Sequence, residues 1–253
     1  VAQKSMLERS QRRFAEETQL GRVRRARKID RMLQKVFPDA RAELDFRNAF
    51  ELLIATVLSA QTTDIRVNQV TPELFAAYPD ATALAQARLE DVEEIVRPTG
   101  FYRSKAKNII ALAQQLVEDH GGEVPADQAA LVRLPGVGVK TANVVLGNAF
   151  STPGLTIDTH VGRLARRLGF TTEDNPDKVE ADLLPLYKKS DLTMVSHRLI
   201  FLGRRICHAR GPACGVCPIA RLCPSFGTGP LDPAEAEAKL AYGLQVPDGG
   251  WQL

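Results

Sequence analysis

Apolar residues along this chain recur at helical spacing. Leu52, Leu53, Thr56, Val57 and Ala60 form one stripe, and Ile109, Leu112 and Leu116 a second. Val161, Leu164, Ala165 and Leu168 form a third, and Leu192, Val195, Leu199 and Leu202 a fourth. These are the intervals of an amphipathic helix that buries one face, while the period-two alternation of strands is scarce. Breakers fall at Tyr78-Pro79-Asp80, Pro98-Thr99-Gly100, Gly121-Gly122, Pro135-Gly136, Thr152-Pro153-Gly154 and Asn175-Pro176-Asp177. The pattern predicts an all-α fold, with helices of roughly 10 to 17 residues joined by short turns. The ends differ. Residues 1 to about 22 are charged and weakly periodic, and Gly227 to Leu253 is rich in glycine and proline, so both are expected to be disordered in part or loosely docked. No internal repeat is evident.

Composition narrows the class. The chain has 253 residues, 44% of them hydrophobic and 25% charged, which is ordinary globular material with room for one large or two modest cores. No apolar run approaches the roughly 18 residues of a membrane helix, and the polar start lacks the apolar centre of a secretory signal. A soluble intracellular protein with no membrane partner is expected. Net charge is only +3, yet it is unevenly placed: basic residues crowd the segment from Arg9 to Lys28 and recur between Arg163 and Arg221, while Glu73 to Glu94 leans acidic. A solvated helix face explains any one cluster, whereas two clusters flanking an acidic middle point toward DNA.

Two segments carry chemistry. Leu134-Pro135-Gly136-Val137-Gly138-Val139-Lys140-Thr141-Ala142 is a glycine turn running into an apolar helix, with a lysine at the first turn. Such a turn offers backbone N–H groups to an anion and holds a primary amine beside it. Further on, all four cysteines of the chain, Cys207, Cys214, Cys217 and Cys223, lie together as C-x6-C-x2-C-x5-C. Disulfides would suit a secreted chain, but the only cysteines of an intracellular protein in one knot favour a metal. Zinc sites usually pair two short knuckles and this run has one, so the spacing leans to an iron–sulfur cluster without settling the choice.

Together with Asp158-Thr159-His160 and Leu58-Ser59-Ala60-Gln61-Thr62-Thr63-Asp64, these motifs resemble the endonuclease III family, bifunctional DNA glycosylases and abasic-site lyases of the helix-hairpin-helix superfamily. The resemblance spans about Phe46 to Pro224, and the motifs keep the family's order. It implies two helical domains with a DNA cleft between them: a six-helix domain at 42–152 and an iron–sulfur domain joining the N-terminal tail and helix, 1–41, to 153–225. A C-terminal tail occupies 226–253. Lys140 and Asp158 would then face each other across the domain boundary.

The resemblance also implies roles. Lys140 would attack C1′ of a damaged nucleotide, displace the base and form a Schiff base, after which β-elimination cuts the strand. Desolvation or a helix N-terminus would help keep its amine unprotonated. Asp158 precedes a helical run, so an N-cap is its plain role, and in the family it also assists the nucleophile and stabilises positive charge on the sugar. A hydrogen-bonded structural role suffices for His160.

Gly136 and Gly138 would let backbone N–H groups approach phosphates of any sequence. Gln61 would fill the space of the extruded base, at a cost of a few kcal/mol for extrusion. Phe101, standing where an aliphatic residue is frequent, would stack on the opposite base, unless it is simply a core aromatic. Ser59 and Asp64 would support this loop and the lesion pocket.

The four cysteines would hold a 4Fe-4S cluster that fixes a loop carrying Arg210 toward DNA. The expected substrate is double-stranded DNA bearing an oxidised pyrimidine, bound by a monomer that, if bacterial, works in the cytoplasm in association with the nucleoid. Adenine-mismatch relatives fit less well, because they lack the lysine and carry a glutamate that aligns near Ala55. The remaining alternatives are a monofunctional mismatch glycosylase and a non-catalytic, metal-stabilised DNA-binding module, which would leave Lys140 and Asp158 unexplained.

Overall fold

A computed structural model describes residues 2–248 and 250–251; the last two residues of the expected tail, with 1 and 249, lie outside the described residues. Among the described residues the chain forms thirteen α-helices and no strand. They are α1 (Ala2–Phe14), α2 (Gln19–Val36), α3 (Ala49–Leu58), α4 (Asp64–Ala77), α5 (Ala81–Ala85), α6 (Leu89–Val96), α7 (Tyr102–His120), α8 (Gln128–Leu131), α9 (Val139–Ala149), α10 (Thr159–Arg167), α11 (Pro176–Leu183), α12 (Leu192–Arg205) and α13 (Pro233–Glu237). Their lengths run from four residues to nineteen, wider than the periodicity predicts. The shortest, α5, α8 and α13, are single turns capped by Asp80, Asp127 and Asp232, which a stripe-based reading passes over. No helix among the described residues is long and apolar enough to cross a membrane.

The chain divides into two compact units, one of them Ala42–Gly154. Its centre is α3, buried from Phe50 through Leu58. Asn48 starts this helix by accepting the Glu51 N–H at 2.9 Å. The buried Glu51 carboxylate is satisfied by the Arg47 N–H at 2.7 Å and the Arg47 guanidinium at 2.6 Å, so the charge is not stranded. Helices α4, α7 and α9 pack on α3, and α5 and α6 cover α7. Leu52, Leu53, Leu74, Ile109, Leu112 and Leu116 fill the core. Ala60, placed in the first stripe by its spacing, lies beyond the helix end and is exposed.

The other unit joins residues up to Arg41 with those from Leu155 onward. Here α2 and α10 flank α12 around Ile29, Leu33, Leu164, Phe170, Leu199 and Leu202. Gly203 lets α10 and α12 touch, because a Cβ there would stand 2.9 Å from His160.

The described residues of both terminal segments make specific contacts within this unit. Phe14 of α1 lies 4.8 Å from the buried Arg25 guanidinium, which also stacks on Phe170, pairs with Glu17 at 2.7 Å and donates to the Leu168 carbonyl at 2.8 Å. Arg13 donates to the Arg221 carbonyl at 3.0 Å. At the other end Gly215 N–H donates to the Pro230 carbonyl at 2.9 Å and Trp251 Nε1 to the Val216 carbonyl at 2.7 Å. These contacts run largely to backbone carbonyls, which leave no mark in residue periodicity.

Candidate active site and cysteine knot

The glycine turn before α9 is built as its sequence requires. Gly136 has φ +77°, which calls for glycine, and a Cβ there would also crowd Asn108 and Val57 at 3.2–3.3 Å. Gly138 is extended, with open space where a side chain would be, and it starts α9 with no side-chain cap. The first-turn N–H groups of a helix have no partner within the helix and carry its positive dipole end. Lys140 is exposed in that turn. Amine and uncapped helix start thus stand together on one surface of this unit.

Two loops of the same unit present the other expected DNA contacts. α3 ends at Ser59, whose Oγ donates to the Thr56 carbonyl at 2.8 Å. Gln61 follows, exposed and left-handed at φ 55°. Thr63 then caps α4, and Asp64, half-buried, is its first residue. Phe101 is left-handed at φ 48° and 68% exposed, which rules out the core-aromatic role. A left-handed non-glycine residue costs on the order of 1–3 kcal/mol and persists where surrounding structure imposes it, often at functional sites. Sequence reading missed Ile65 and Val139, large apolar side chains left exposed at the starts of α4 and α9. Their signal is an apolar residue at a helix start, out of phase with the buried stripe. Ala55, where the mismatch enzymes would carry glutamate, is fully buried in α3.

Asp158 caps α10 in the other unit, its Oδ1 accepting the Val161 N–H at 2.8 Å. The half-buried carboxylate belongs to a short helix that carries a second load. Arg163 Nη2 donates to the carbonyls of Gly203 and Cys207 at 3.0 Å. Arg167 donates to Cys207 Sγ at 3.1 Å, to the His208 carbonyl at 2.7 Å and to the Ala209 carbonyl at 2.9 Å. These two members of the second basic cluster therefore turn inward and hold the cysteine loop. Their i, i+4 spacing is the signal that sequence reading passed over. His160 sits 3.1 Å from Arg163, and burial lowers its imidazole pKa despite the nearby Asp158 charge. That environment fits a structural histidine.

Cys207, Cys214, Cys217 and Cys223 line one small cavity with Ile206 and Ala213. Burial, then the neighbouring sulfurs, raises the pKa of Cys217, and the same causes push Cys223 up to about 12. Among the described residues no group of three or more His, Cys, Asp or Glu side chains is arranged to hold a single metal ion. Arg210, on the loop between the first two cysteines, is exposed. The C-terminal segment closes over this loop: a Cβ on Gly229 would collide with the Pro212 carbonyl, and one on Gly215 would stand 2.5 Å from the Leu231 carbonyl.

Residues 54–189 match the HhH-GPD superfamily of base excision DNA repair proteins. The chain is 49% identical over 202 residues to endonuclease III of Synechocystis sp., covering 79% of this chain and 92% of the relative. Among solved structures it resembles a non-covalent endonuclease III–DNA complex, with 45% identity, a TM-score of 0.76, and coverage of 79% of this chain and 94% of that one. A trapped covalent endonuclease III–DNA intermediate matches at the same identity and TM-score, with 79% and 95% covered.

Proposed function

Because the chain belongs to the endonuclease III family of HhH-GPD base excision DNA repair proteins, we propose that it excises oxidised pyrimidines from double-stranded DNA and cleaves the resulting abasic site. The observation that carries this reading is Lys140, an exposed amine on the first turn of a helix entered through a glycine turn. The Nζ lone pair attacks C1′ as the glycosidic bond breaks and its electron pair leaves with the base. Transfer of an amine proton to the ring oxygen opens the sugar to an iminium, loss of a C2′ proton expels the 3′ phosphate, and water then hydrolyses the imine to free the lysine. Asp158 acts as the carboxylate that stabilises positive charge on the sugar, as paired carboxylates do in glycosidases.

Phosphates flanking the lesion are held by the N–H groups around Gly136 and Gly138. Gln61 fills the place of the extruded nucleotide and Phe101 stacks on the base left opposite, both pre-set by left-handed backbone. Ser59 and Asp64 shape the ends of the Gln61 loop, and Arg210 contacts the DNA backbone. In a bacterial cell the working site would be the nucleoid in the cytoplasm. Borohydride added to the protein with duplex DNA containing thymine glycol or an abasic site should freeze a covalent complex on a denaturing gel. Base release with no adduct would instead mean a monofunctional glycosylase, and neither activity a DNA-binding module.

The cysteine knot is read as the seat of a 4Fe-4S cluster. A cubane takes one thiolate per iron and spreads its sulfurs around a volume, whereas zinc draws four of them onto a single point. Four thiols lining one cavity, in a run with a single short C-x2-C knuckle, suit the former. Cys207, Cys214, Cys217 and Cys223 would hold it, and the bound cluster would cross-link the loop while leaving the sugar chemistry to Lys140 and Asp158. Natively purified protein should therefore contain iron and show a broad visible absorption that Cys223→Ser removes. Zinc without iron in the native protein would overturn this reading.

A further inference from the structure

The turn that presents Phe101 is closed by a buried lysine that the mechanism above leaves unused. Lys105, in the first turn of α7, is only 5% exposed. Its Nζ donates to the Thr99 carbonyl at 2.8 Å, while its own backbone N–H donates to the Phe101 carbonyl at 3.1 Å. One residue thereby grips the chain on both sides of Gly100. The gripped backbone is an unusual one. Gly100 lies at φ 67°, ψ 158°, a region essentially reserved for glycine, and Phe101 follows at φ 48°, ψ 27°.

A lysine is a costly way to fill a buried position. Removing an ammonium from water is unfavourable, and burial lowers the Lys105 pKa with no carboxylate contributing. Leucine or methionine would fill the same space without that cost. What they could not do is satisfy the carbonyl of Thr99, itself 1% exposed and with its hydroxyl already committed to the Val96 carbonyl at 2.8 Å. The lysine thus serves the turn, and the turn's outward product is the exposed ring of Phe101.

We propose that Lys105 is a positioning residue for Phe101, holding the ring in the outward, left-handed geometry in which it meets the base opposite the lesion. This rests on the stacking role given to Phe101 above. Lys105 touches no reacting atom.

A double-mutant cycle tests it, with three readouts on thymine glycol duplexes: single-turnover excision rate, fluorescence of 2-aminopurine placed opposite the lesion, and melting temperature. Lys105→Met should slow excision about tenfold, as misplacement of a positioning element does, and should reduce the 2-aminopurine signal on binding. In a Phe101→Ala background the same substitution should slow excision no further, while lowering the melting temperature as much as it does alone. Equal loss of excision in both backgrounds would show a general structural role and overturn the inference, as would an unchanged rate and fluorescence in Lys105→Met.

Gly100→Ala gives an independent route should Lys105→Met fail to fold. A Cβ at Gly100 meets nothing within 4 Å, so the substitution strains only the turn, and it should follow the same pattern across the two backgrounds. Additive loss there would count against the turn as the point of action. Phe101→Ala alone addresses the earlier reading: if its excision and fluorescence equal those of the wild type, the stacking role fails first, and Lys105 with it.

Discussion

Lys140→Gln should abolish borohydride trapping and reduce strand cleavage on the order of a thousandfold or more, the scale expected when a covalent nucleophile is removed. The substitution is a clean one. Lys140 is exposed in the first turn of α9 and fills no core position, and glutamine is a good helix former, so stability should change by no more than about 0.5 kcal/mol. Glutamine also keeps most of the side-chain length while removing the amine, which separates chemistry from shape. Binding to duplex DNA should weaken only modestly, because in the proposed reading Lys140 is one of several DNA-contacting groups and the N–H groups around Gly138 remain. Trapping, single-turnover cleavage and fluorescence anisotropy on the same abasic-site duplex would report the three effects. An adduct that survives in Lys140→Gln would assign the Schiff base to another amine, and a melting shift of several degrees would mean that the residue also supports the turn.

The residues tell unequal parts of this story. The cores of α3, α7, α10 and α12 follow from apolar intervals, since burial of one face is what those intervals encode. The Asp158 cap was likewise legible, because a short acceptor before a helical run has one obvious local use. The left-handed backbone of Gln61 and Phe101 was not. In glycine a positive φ is a property of the residue, whereas in glutamine or phenylalanine the surrounding structure must hold it, which no local pattern announces.

Arg163 and Arg167 show the same limit from the other side. As sequence they belong to a basic cluster suited to DNA, and in the fold their partners are carbonyls and a sulfur of the cysteine loop. Main-chain acceptors look alike at every residue, so only the packed structure reveals which arginines they engage. The same holds for Arg25, whose guanidinium is stacked between Phe14 and Phe170.

Asp158→Asn is expected to cost excision heavily while leaving the fold alone. Asparagine and aspartate are near equals as N-caps, so the acceptor for the Val161 N–H survives and only the charge is lost. Loss of the charge removes a small dipole term of about 0.3–1 kcal/mol at the start of α10. In the proposed mechanism the same charge faces a sugar becoming cationic in the transition state, and its removal should slow base release by about 10²- to 10³-fold, as loss of a preorganised electrostatic partner does elsewhere. Asp158→Ala should show the same slowing and lose about 1 kcal/mol of stability besides, because the cap goes with the charge. The helix it starts also carries Arg163 and Arg167, so iron content provides a further control: it should be unchanged in the asparagine variant, whose α10 remains capped and still holds the Cys207 loop. Base release measured by chromatography, alongside melting and iron analysis of the two variants, separates the roles. If Asp158→Asn releases base at the wild-type rate while Asp158→Ala loses only stability, the carboxylate is a helix cap and the positive charge on the sugar is stabilised by another group.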